Sequence, residues 1–397
     1  MWAIDLCHEC SMAQDCENMM KDSVKDKLGR IVYSLFRRFP IKKDRVLLFS
    51  YYGEQYGGAP KYIGAYLKEH SKLDVIWAFV DPEKYAGTFS AGEMVRYKHI
   101  AYYFMLATAG TIITDYRMTE DFTKRSEQTY IQTWHSSLRL KQIENDAADT
   151  LPKHYVQMAK KDSTQIDVLL AGSKKSKEIF QQAFWYNGLI AETGTPQCDI
   201  LVRRDHRVVE KVLSYFNIPQ GSHVVMYAPT FRKGHDISVY DLSPDAVLEA
   251  LCERFGGKWY LLMRLHPHLK NCLTAFAYSE HVKQATDYDD VQELLCVSDF
   301  LISDYSAIMF DFSVTGKPCM LYTPDIEDYV ARDRKLYFDL RTLPFQSFEK
   351  QDDLIRAIKE FDENTYQKTL HEFRKSIGSY DDGNACERVL QLIQKGL

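Results

Sequence analysis

The 397-residue sequence contains no apolar run that approaches the roughly 18 residues of a membrane-spanning helix. Its first residues also lack a basic stretch followed by an apolar one, so we expect neither a secretion signal nor a transmembrane segment. The net charge is −5, which argues against general nucleic-acid binding because that function normally needs a basic surface. We therefore expect local groups to hold any anionic ligand.

The nine cysteines do not occur at the spacings of a disulfide framework. Cys7, His8, Cys10 and Cys16 cluster near the start, but no second pair of ligands at zinc-site spacing accompanies them. We therefore expect a reduced, cytosolic chain that begins with a poorly ordered leader. We also expect no tightly bound structural metal.

An apolar stripe at helical spacing precedes Pro40. It consists of Val24, Leu28, Ile31, Val32, Leu35, Phe36 and Phe39. Lysines and arginines surround the stripe, and this charge pattern is typical of a helix that lies on an anionic membrane surface. A helix docked on its own domain would show the same stripe, so both interpretations stay open.

After Pro40, short β-branched or aromatic segments alternate with helical ones, which predicts parallel α/β sheets. The first series of predicted strands is Arg45–Tyr51, Val75–Val80, Thr111–Thr114, Tyr130–Trp134 and Asp167–Ala171. A second series follows a turn-rich seam and comprises Val224–Tyr227, Trp259–Arg264, Phe300–Ser303 and Cys319–Tyr322. We predict a leader and amphipathic helix over 1–40, an α/β domain over 41–205 and a second α/β domain over 206–397.

Two Rossmann-like domains that face each other place the carboxyl ends of their strands along a common cleft, where open α/β sheets bind ligands. The chain contains neither G-x-G-x-x-G nor G-x-x-x-x-G-K-[ST], which disfavours a Rossmann dehydrogenase and a P-loop kinase. Polar residues that directly follow predicted strands are therefore the candidates for function.

In the first domain, the strand Tyr130–Trp134 delivers His135 to this cleft. An imidazole titrates near neutral pH and can take a proton from an attacking hydroxyl. Ser136 and Ser137 come next, and we expect their hydroxyls to cap the following helix.

In the second domain, Thr230 and Arg232 follow a predicted strand, and a guanidinium there suits a fork-like contact with phosphate. Arg264 ends the next predicted strand, and His266 lies two positions further along the chain. Because Pro267 favours an extended conformation at His266, the two side chains share one face and could grip a diphosphate.

Ser303, Asp304 and Ser306 lie where a buried strand turns into a helix. Ser306 is the predicted N-cap, and the free N–H groups of the first helical turn would form an anion site. Asp304 would repel a phosphate, so we expect it to bond a hydroxyl or a backbone amide. A basic and aromatic segment around the next strand adds Lys317 and Arg334 as candidate substrate contacts.

Together these segments resemble, in order, the motifs of the CDP-glycerol glycerophosphotransferase family of teichoic-acid and capsule synthesis. The matching stretches are Gln132-Thr133-Trp134-His135, Tyr227-Ala228-Pro229-Thr230-Phe231-Arg232, Arg264-Leu265-His266-Pro267, Ser303-Asp304-Tyr305-Ser306 and Lys317-Pro318. The resemblance covers the chain from about Pro40 to Arg334. The family usually has His-Gly-Thr where this chain has His135-Ser136-Ser137, so the acceptor identity stays open.

The resemblance implies a glycosyltransferase-B-like fold and peripheral attachment to the inner face of the cell membrane. It also implies transfer of glycerol or ribitol phosphate from a CDP-linked donor to a lipid-linked glycan or teichoic-acid acceptor, without a metal or other cofactor. It would make His135 the general base, with His266 as a second catalytic candidate near the donor phosphates beside Ser306, Thr230 and Arg232. Two alternatives stay open, namely a sugar-nucleotide glycosyltransferase and an inactive relative that binds anionic glycopolymer. The sequence does not separate a primase from a polymerase.

Overall fold

The computed structural model of the chain describes residues 27–119, 122–232, 237–265, 276, 278–332 and 335–396. The predicted leader and its cysteine cluster lie outside these residues. The described part contains two parallel sheets with helices packed against them, which confirms the predicted α/β architecture. Within the described ranges, no helix has the length and apolarity to cross a bilayer.

The first sheet is parallel throughout and has a buried centre. Its strands are β1 Lys42–Phe49, β2 Asp74–Phe79, β3 Met94–Arg96, β4 Ala109–Thr114, β5 Thr129–Gln132, β6 Val168–Leu170 and β7 Leu189–Ala191. They lie in the order β3-β2-β1-β4-β5-β6-β7. Val46, Leu47 and Leu48 of β1 are fully buried because helices cover both faces of the sheet. The order reverses between β1 and β4, which opens a crevice at the carboxyl ends of these strands.

The helices of this half are α1 over 27–36, α2 Gly58–His70, α3 Ile100–Thr108, α4 Lys153–Ser163, α5 Lys174–Ala183 and α6 Asp199–Arg203. One face of α1 packs on the domain, where Tyr33 is buried and Gly29 lies so close to Tyr103 that a Cβ atom would come within 2.1 Å of its hydroxyl oxygen. The opposite face exposes large apolar side chains, namely Leu28, Ile31 and Leu35. The helix is thus docked on its domain and also presents an apolar ridge to the outside.

The second sheet has the same parallel design. Its strands are β8 His223–Tyr227, β9 Trp259–Met263, β10 Val282–Gln284, β11 Phe300–Ser303, β12 Cys319–Tyr322 and β13 Ser347–Phe348, in the order β10-β9-β8-β11-β12-β13. The helices are α7 His206–Tyr215, α8 Pro244–Phe255, α9 Val291–Val297, α10 Ile308–Phe312, α11 Ile326–Arg332, α12 Gln351–Lys359 and α13 Glu363–Ser376. The strand order reverses between β8 and β11, so a second crevice opens there.

The last helix, α14 Ala385–Lys395, returns to the first domain. Its Val389 and Leu390 join an apolar cluster with residues of α2. The carboxylate of Asp199 accepts hydrogen bonds from the N–H groups of Ala385 at 3.0 Å and Cys386 at 2.9 Å, which satisfies the start of the helix. The predicted boundary assigns this helix to the second domain, whereas its packing places it on the first.

Candidate active site

His135 lies just beyond the carboxyl end of β5, beside the crevice of the first sheet. The chain turns at Trp134, whose φ of 54° lies in the left-handed region and whose N–H donates to Gln132 Oε1 at 2.9 Å. The imidazole stacks on the ring of Tyr116, with centroids 5.1 Å apart and an interplanar angle of 12°. The turn and the stack together fix the orientation of the ring.

The Nδ1 atom of His135 lies 3.4 Å from the backbone carbonyl oxygen of Asp115. A carbonyl oxygen only accepts, so this contact favours the tautomer that carries its proton on Nδ1. Nε2 then bears the lone pair and is the nitrogen that can take a proton from a hydroxyl.

The carboxyl of Asp115 is a buried group of this crevice and is not among the site residues predicted from the sequence. Its Oδ1 accepts the N–H of Tyr51 at 3.0 Å, while Oδ2 has no hydrogen-bond partner among the described residues. Burial raises its pKa well above the usual range for a carboxyl. Asp115 directly follows β4, so the criterion that identifies His135 would have identified it as well.

Ser137 connects the loop after His135 to the second domain. Its N–H and its Oγ–H both donate to Asp311 Oδ1 of α10, at 2.8 and 2.6 Å. Ser136 turns its hydroxyl to the carbonyl oxygen of Leu138 at 2.6 Å. The predicted helix cap is wrong, because residues 133–140 are irregular and the next helical turn is the 3-10 segment Glu144–Thr150. Both hydroxyls instead satisfy acceptors that hold an irregular loop.

Thr230 and Asp304 meet at the carboxyl ends of β8 and β11, where the order of the second sheet reverses. The N–H and Oγ–H of Thr230 donate to Asp304 Oδ1 at 2.9 and 2.6 Å. The same oxygen accepts the N–H of Tyr305 at 2.5 Å. Asp304 thus bonds a hydroxyl and backbone amides, as the sequence analysis expects.

Arg232 is buried between two carboxylates. Its Nε and Nη2 each donate to Asp325 at 3.0 Å, and its Nη1 pairs with Asp304. Burial opposes the charge, but the two carboxylates hold the pKa of Arg232 above its usual value. The guanidinium donors of Arg232 already bind Asp325 and Asp304. The predicted contact with phosphate would therefore require Arg232 to lose its ion pair with Asp325. In this arrangement Arg232 fixes the loops that follow β8, β11 and β12.

Arg264 stands at the end of β9, where its Nη1 donates to the carbonyl oxygens of Ala285 at 3.0 Å and Tyr288 at 2.6 Å. Burial lowers the pKa of its guanidinium. Burial also raises the pKa of Tyr51, which follows β1 in the first domain. The loop after β5 reaches the second domain through the hydrogen bonds of Ser137 to Asp311, so the two crevices face each other.

The helix after β11 begins later than the sequence predicts. Its first residue is Ile308 and its N-cap is Ala307, while Ser306 Oγ accepts the N–H of Ile308 only at 3.4 Å. With five residues, α10 has too small a dipole for the predicted anion site at its N-terminus. Ser303 is buried and donates to the carbonyl oxygen of Ala228 at 2.8 Å, so it holds β8 and β11 together.

Lys317 lies at the opposite edge of the second sheet. Its Nζ donates to the carbonyl oxygen of Ser298 at 2.5 Å and pairs with Asp299 at 3.0 Å. Both partners precede β11, whereas Thr230 and Asp304 follow strands. Because parallel strands put their two ends on opposite edges, the structure does not bring Lys317 to the crevice.

Two of the predicted site residues, His266 and Arg334, lie outside the described residues. Across the part of the chain that is described, no three His, Cys, Asp or Glu side chains group as they would around a metal ion.

Residues 31–395 match the family model described as CDP-glycerol:poly(glycerophosphate) glycerophosphotransferase. The teichoic acid glycerol-phosphate transferase of Staphylococcus aureus is 31% identical over 395 residues, which cover 95% of this chain and 100% of that protein. The teichoic acid poly(glycerol phosphate) polymerase of Staphylococcus epidermidis is 31% identical over 386 residues, or 93% of this chain and 53% of that protein. The chain thus spans about half the length of that polymerase.

Solved structures of a teichoic acid polymerase are also similar to this chain. A structure of the wall teichoic acid polymerase TagF superposes with a TM-score of 0.81 at 27% identity, over 97% of this chain and 98% of that one. A TagF variant soaked with CDPG superposes with a TM-score of 0.82 at 28% identity, over 98% of both chains. The UDP-GlcNAc 2-epimerase of Neisseria meningitidis, at 14% identity and a TM-score of 0.50, covers 88% of this chain and 100% of its own and is similar in fold alone.

Proposed function

Because this chain belongs to the CDP-glycerol:poly(glycerophosphate) glycerophosphotransferase family, we propose that it transfers a polyol phosphate from a CDP-linked donor and releases CMP. The acceptor is a hydroxyl of a lipid-linked glycan or of teichoic acid, as the names of the relatives suggest. The observation that carries the proposal is His135, held in one orientation beyond the carboxyl end of β5, in a loop that Ser137 connects to Asp311 of the second domain. That arrangement offers a base to a substrate bound between the domains.

The proposed reaction needs little covalent chemistry from the protein. The acceptor hydroxyl loses its proton to Nε2 of His135 while its oxygen bonds to the distal phosphorus of the donor. The bond from that phosphorus to the bridging oxygen breaks, and CMP leaves with the electron pair. Phosphoryl transfer depends mostly on positioning and on charge stabilisation, which suits a site built by two domains.

The donor's CDP part would lie against the second sheet, at the carboxyl ends of β8, β9 and β11. Arg264 contributes a guanidinium anchored by two carbonyl oxygens, and the contacts of Thr230, Asp304 and Arg232 hold the neighbouring loops. His266 remains the second predicted catalytic residue, two positions after Arg264. These groups would supply the charge and the hydrogen bonds that the leaving CMP needs.

Glycerol phosphate is the first choice for the transferred group. The relatives at 31% identity are named for glycerol phosphate, whereas those named for ribitol phosphate are 24% and 25% identical. Ribitol phosphate is the second choice.

We further propose that α1 holds the protein against the anionic inner face of the membrane. Leu28, Ile31 and Leu35 are 60%, 59% and 51% exposed, although they are large and apolar. Basic residues alternate with them along the same segment, namely Lys27, Arg30, Arg37 and Arg38. Exposed apolar side chains flanked by positive charge are typical of a helix at a membrane interface. Such attachment would keep the enzyme beside a lipid-linked acceptor.

Release of CMP tests the proposed function. Purified protein is incubated with CDP-glycerol or CDP-ribitol, with and without a membrane lipid extract as the acceptor source. We expect acceptor-dependent CMP release, faster from CDP-glycerol. Turnover of UDP- or GDP-sugars in place of both CDP-polyols would instead identify a sugar-nucleotide glycosyltransferase. Binding of CDP-glycerol without CMP release under any acceptor would identify an inactive relative.

A further inference from the structure

Arg139 is a buried arginine that has no carboxylate partner among the described residues. The residue is 6% exposed, and within the described part of the chain its guanidinium makes one hydrogen bond, from Nη2 to the carbonyl oxygen of Ser136 at 3.1 Å. Its Nε–H is buried and has no acceptor in the described part of the chain. Since a buried charge is unfavourable unless it is paired, this guanidinium favours an anionic partner.

Arg117, in the same domain, is a buried arginine whose charge is paired with two carboxylates, although its Nε–H, like that of Arg139, has no acceptor among the described residues. Its guanidinium donates to Glu144 at 2.8 Å, Asp162 at 3.1 Å and Ser163 at 2.8 Å. Burial lowers the pKa of Arg139 to about 9, whereas at Arg117 the two carboxylates outweigh burial and raise the pKa. Both residues are buried, and the difference is that Arg139 has no ion pair among the described residues.

Arg139 also lies where an anionic substrate would be expected. Its guanidinium carbon is 5.6 Å from the ring centroid of Trp134, and the imidazole of His135 is 4.5 Å from the same ring. Ser136, whose carbonyl oxygen accepts from Arg139, lies between His135 and Ser137, and Ser137 bonds to Asp311 of the second domain. The Oδ1 atom of Asp311 already accepts two hydrogen bonds from Ser137. Arg139 is thus beside the candidate base, at the boundary of the two domains.

We propose that Arg139 binds a phosphate oxygen of a substrate next to His135, through its unpaired Nε–H. A guanidinium suits this task because its planar donors match the geometry of a phosphate. The identity of the phosphate rests on the proposed function: it is either the transferred phosphate of the donor or a phosphate of the acceptor, and the chemistry of recognition is the same.

The first test measures anion binding without turnover. Thermal unfolding of the full chain is followed with and without inorganic phosphate for wild type, Arg139→Gln and Arg139→Lys. We expect phosphate to raise the Tm of wild type, Arg139→Lys to keep part of this rise, and Arg139→Gln to lose most of it. Arg207→Gln, which removes a charge that is 89% exposed, should keep the full rise. Without phosphate, Arg139→Gln should melt no lower than wild type, whereas Arg117→Gln should melt lower.

The second test assigns the phosphate by kinetics. We expect Arg139→Gln to raise the KM of one substrate by about ten- to a hundredfold, the effect of losing a hydrogen bond from a charged group. A change in the KM of CDP-glycerol would assign the donor phosphate, and a change in the KM of the acceptor would assign the acceptor phosphate. An unchanged phosphate effect together with unchanged kcat/KM for both substrates would overturn the proposal. If wild type released no CMP but its phosphate effect still required Arg139, the proposed function would fail while the anion site stood.

Discussion

Asp311 shows how one side chain can hold a functional loop from the opposite domain. It is buried on α10, and its Oδ1 accepts both the N–H and the Oγ–H of Ser137, two residues after His135. Its Oδ2 accepts a hydrogen bond from Nε2 of Gln292 at 2.8 Å. Both carboxylate oxygens are therefore engaged, and the position of the loop depends on them.

Replacement of Asp311 by alanine should slow the reaction more than it weakens substrate binding. The buried donors of Ser137 would lose their acceptor, at a cost of about 1–3 kcal/mol in the free energy of unfolding. We expect kcat to fall at least about tenfold with a smaller change in KM, measured by CMP release and by urea unfolding.

Asp311→Asn is the matched conservative variant. It keeps an oxygen for Ser137. The amides of Gln292 and Gln197, which both donate to Oδ2 of Asp311, can turn over to accept from the new NH₂ group. We expect Asp311→Asn to recover most of the lost rate. Equal activity of the folded Asp311→Ala protein and wild type would show that Asp311 does not position the loop.

Asp381 should give the protein a pH-dependent stability. Its Oδ1 accepts the N–H of Thr195 at 2.6 Å, and burial raises its pKa to about 7. The folded protein therefore holds this proton more tightly than the unfolded chain, in which the pKa is about 4. The proton's contribution to stability is complete below about pH 4 and is lost as the pH rises to about 7.

Asp381→Asn keeps the acceptor for Thr195 and removes the titration. Relative to wild type, its free energy of unfolding should increase between pH 5 and pH 8, as measured by urea unfolding at both values. Asp382→Asn, at an exposed position next in the chain, should not show this increase, since Arg388 lowers the pKa of Asp382. The same difference from wild type at both pH values would refute the assignment to Asp381.

Among the secondary-structure elements, the sequence predicts most accurately the strands whose residues are all buried. β11 and β12 coincide with the predicted Phe300–Ser303 and Cys319–Tyr322, because their residues are all buried. The edge strands β3, β7, β10 and β13 are not predicted, since two or three residues are too few to show a period.

The loops of the site are less predictable because their partners are remote. Ser137 bonds to Asp311, which is 174 positions away, so the neighbouring sequence alone predicts only a helix cap at Ser137. Arg232 is likewise engaged by Asp325, 93 positions away. Asp115, by contrast, directly follows a buried strand, and a polar residue at that position is the pattern that identifies His135.

The apolar ridge of α1 gives a prediction for the element as a whole. The triple variant Leu28→Ser, Ile31→Ser, Leu35→Ser should lose at least about a hundredfold in affinity for vesicles of phosphatidylglycerol and phosphatidylcholine, because each apolar side chain contributes about 1.5–3 kcal/mol on burial. Its thermal stability should change little, since these side chains are exposed. Sedimentation with vesicles measures the binding.

Leu189→Ser, at a 46% exposed position on β7, is the control for a generic loss of surface apolarity and should bind vesicles like wild type. If the triple variant sedimented with vesicles as wild type does, α1 would not be the membrane-binding element.

At the scale of the whole molecule, ion pairs between α2 and α9 join the two domains. Lys61 Nζ lies 2.5 Å from Asp290 and 2.7 Å from Glu293, and its side chain is 12% exposed. The hydroxyl of Tyr62 adds a hydrogen bond to Asp290 at 2.5 Å. Burial opposes the charge of Lys61, but the two carboxylates raise its pKa. These contacts fix the position of one domain, and of its crevice, relative to the other.

Lys61→Met should therefore destabilise the protein by about 3 kcal/mol, because it leaves buried carboxylates short of a positive charge. Lys84→Met removes another link between the domains, to Asp289, but its side chain is 46% exposed and the loss should stay below about 1 kcal/mol. Urea unfolding compares the two variants. Equal and small effects would mean that the buried pair does not hold the domains together.

Transfer of label from CDP-[¹⁴C]glycerol to the lipid-linked acceptor, followed in a single turnover, tests whether His135 is the general base. His135→Ala should slow the transfer by at least about a hundredfold while it keeps donor binding, as expected for the loss of a general base. His154→Ala, at an exposed position on α4, should transfer at the wild-type rate. Near-normal transfer by a correctly folded His135→Ala protein would show that His135 is not the general base.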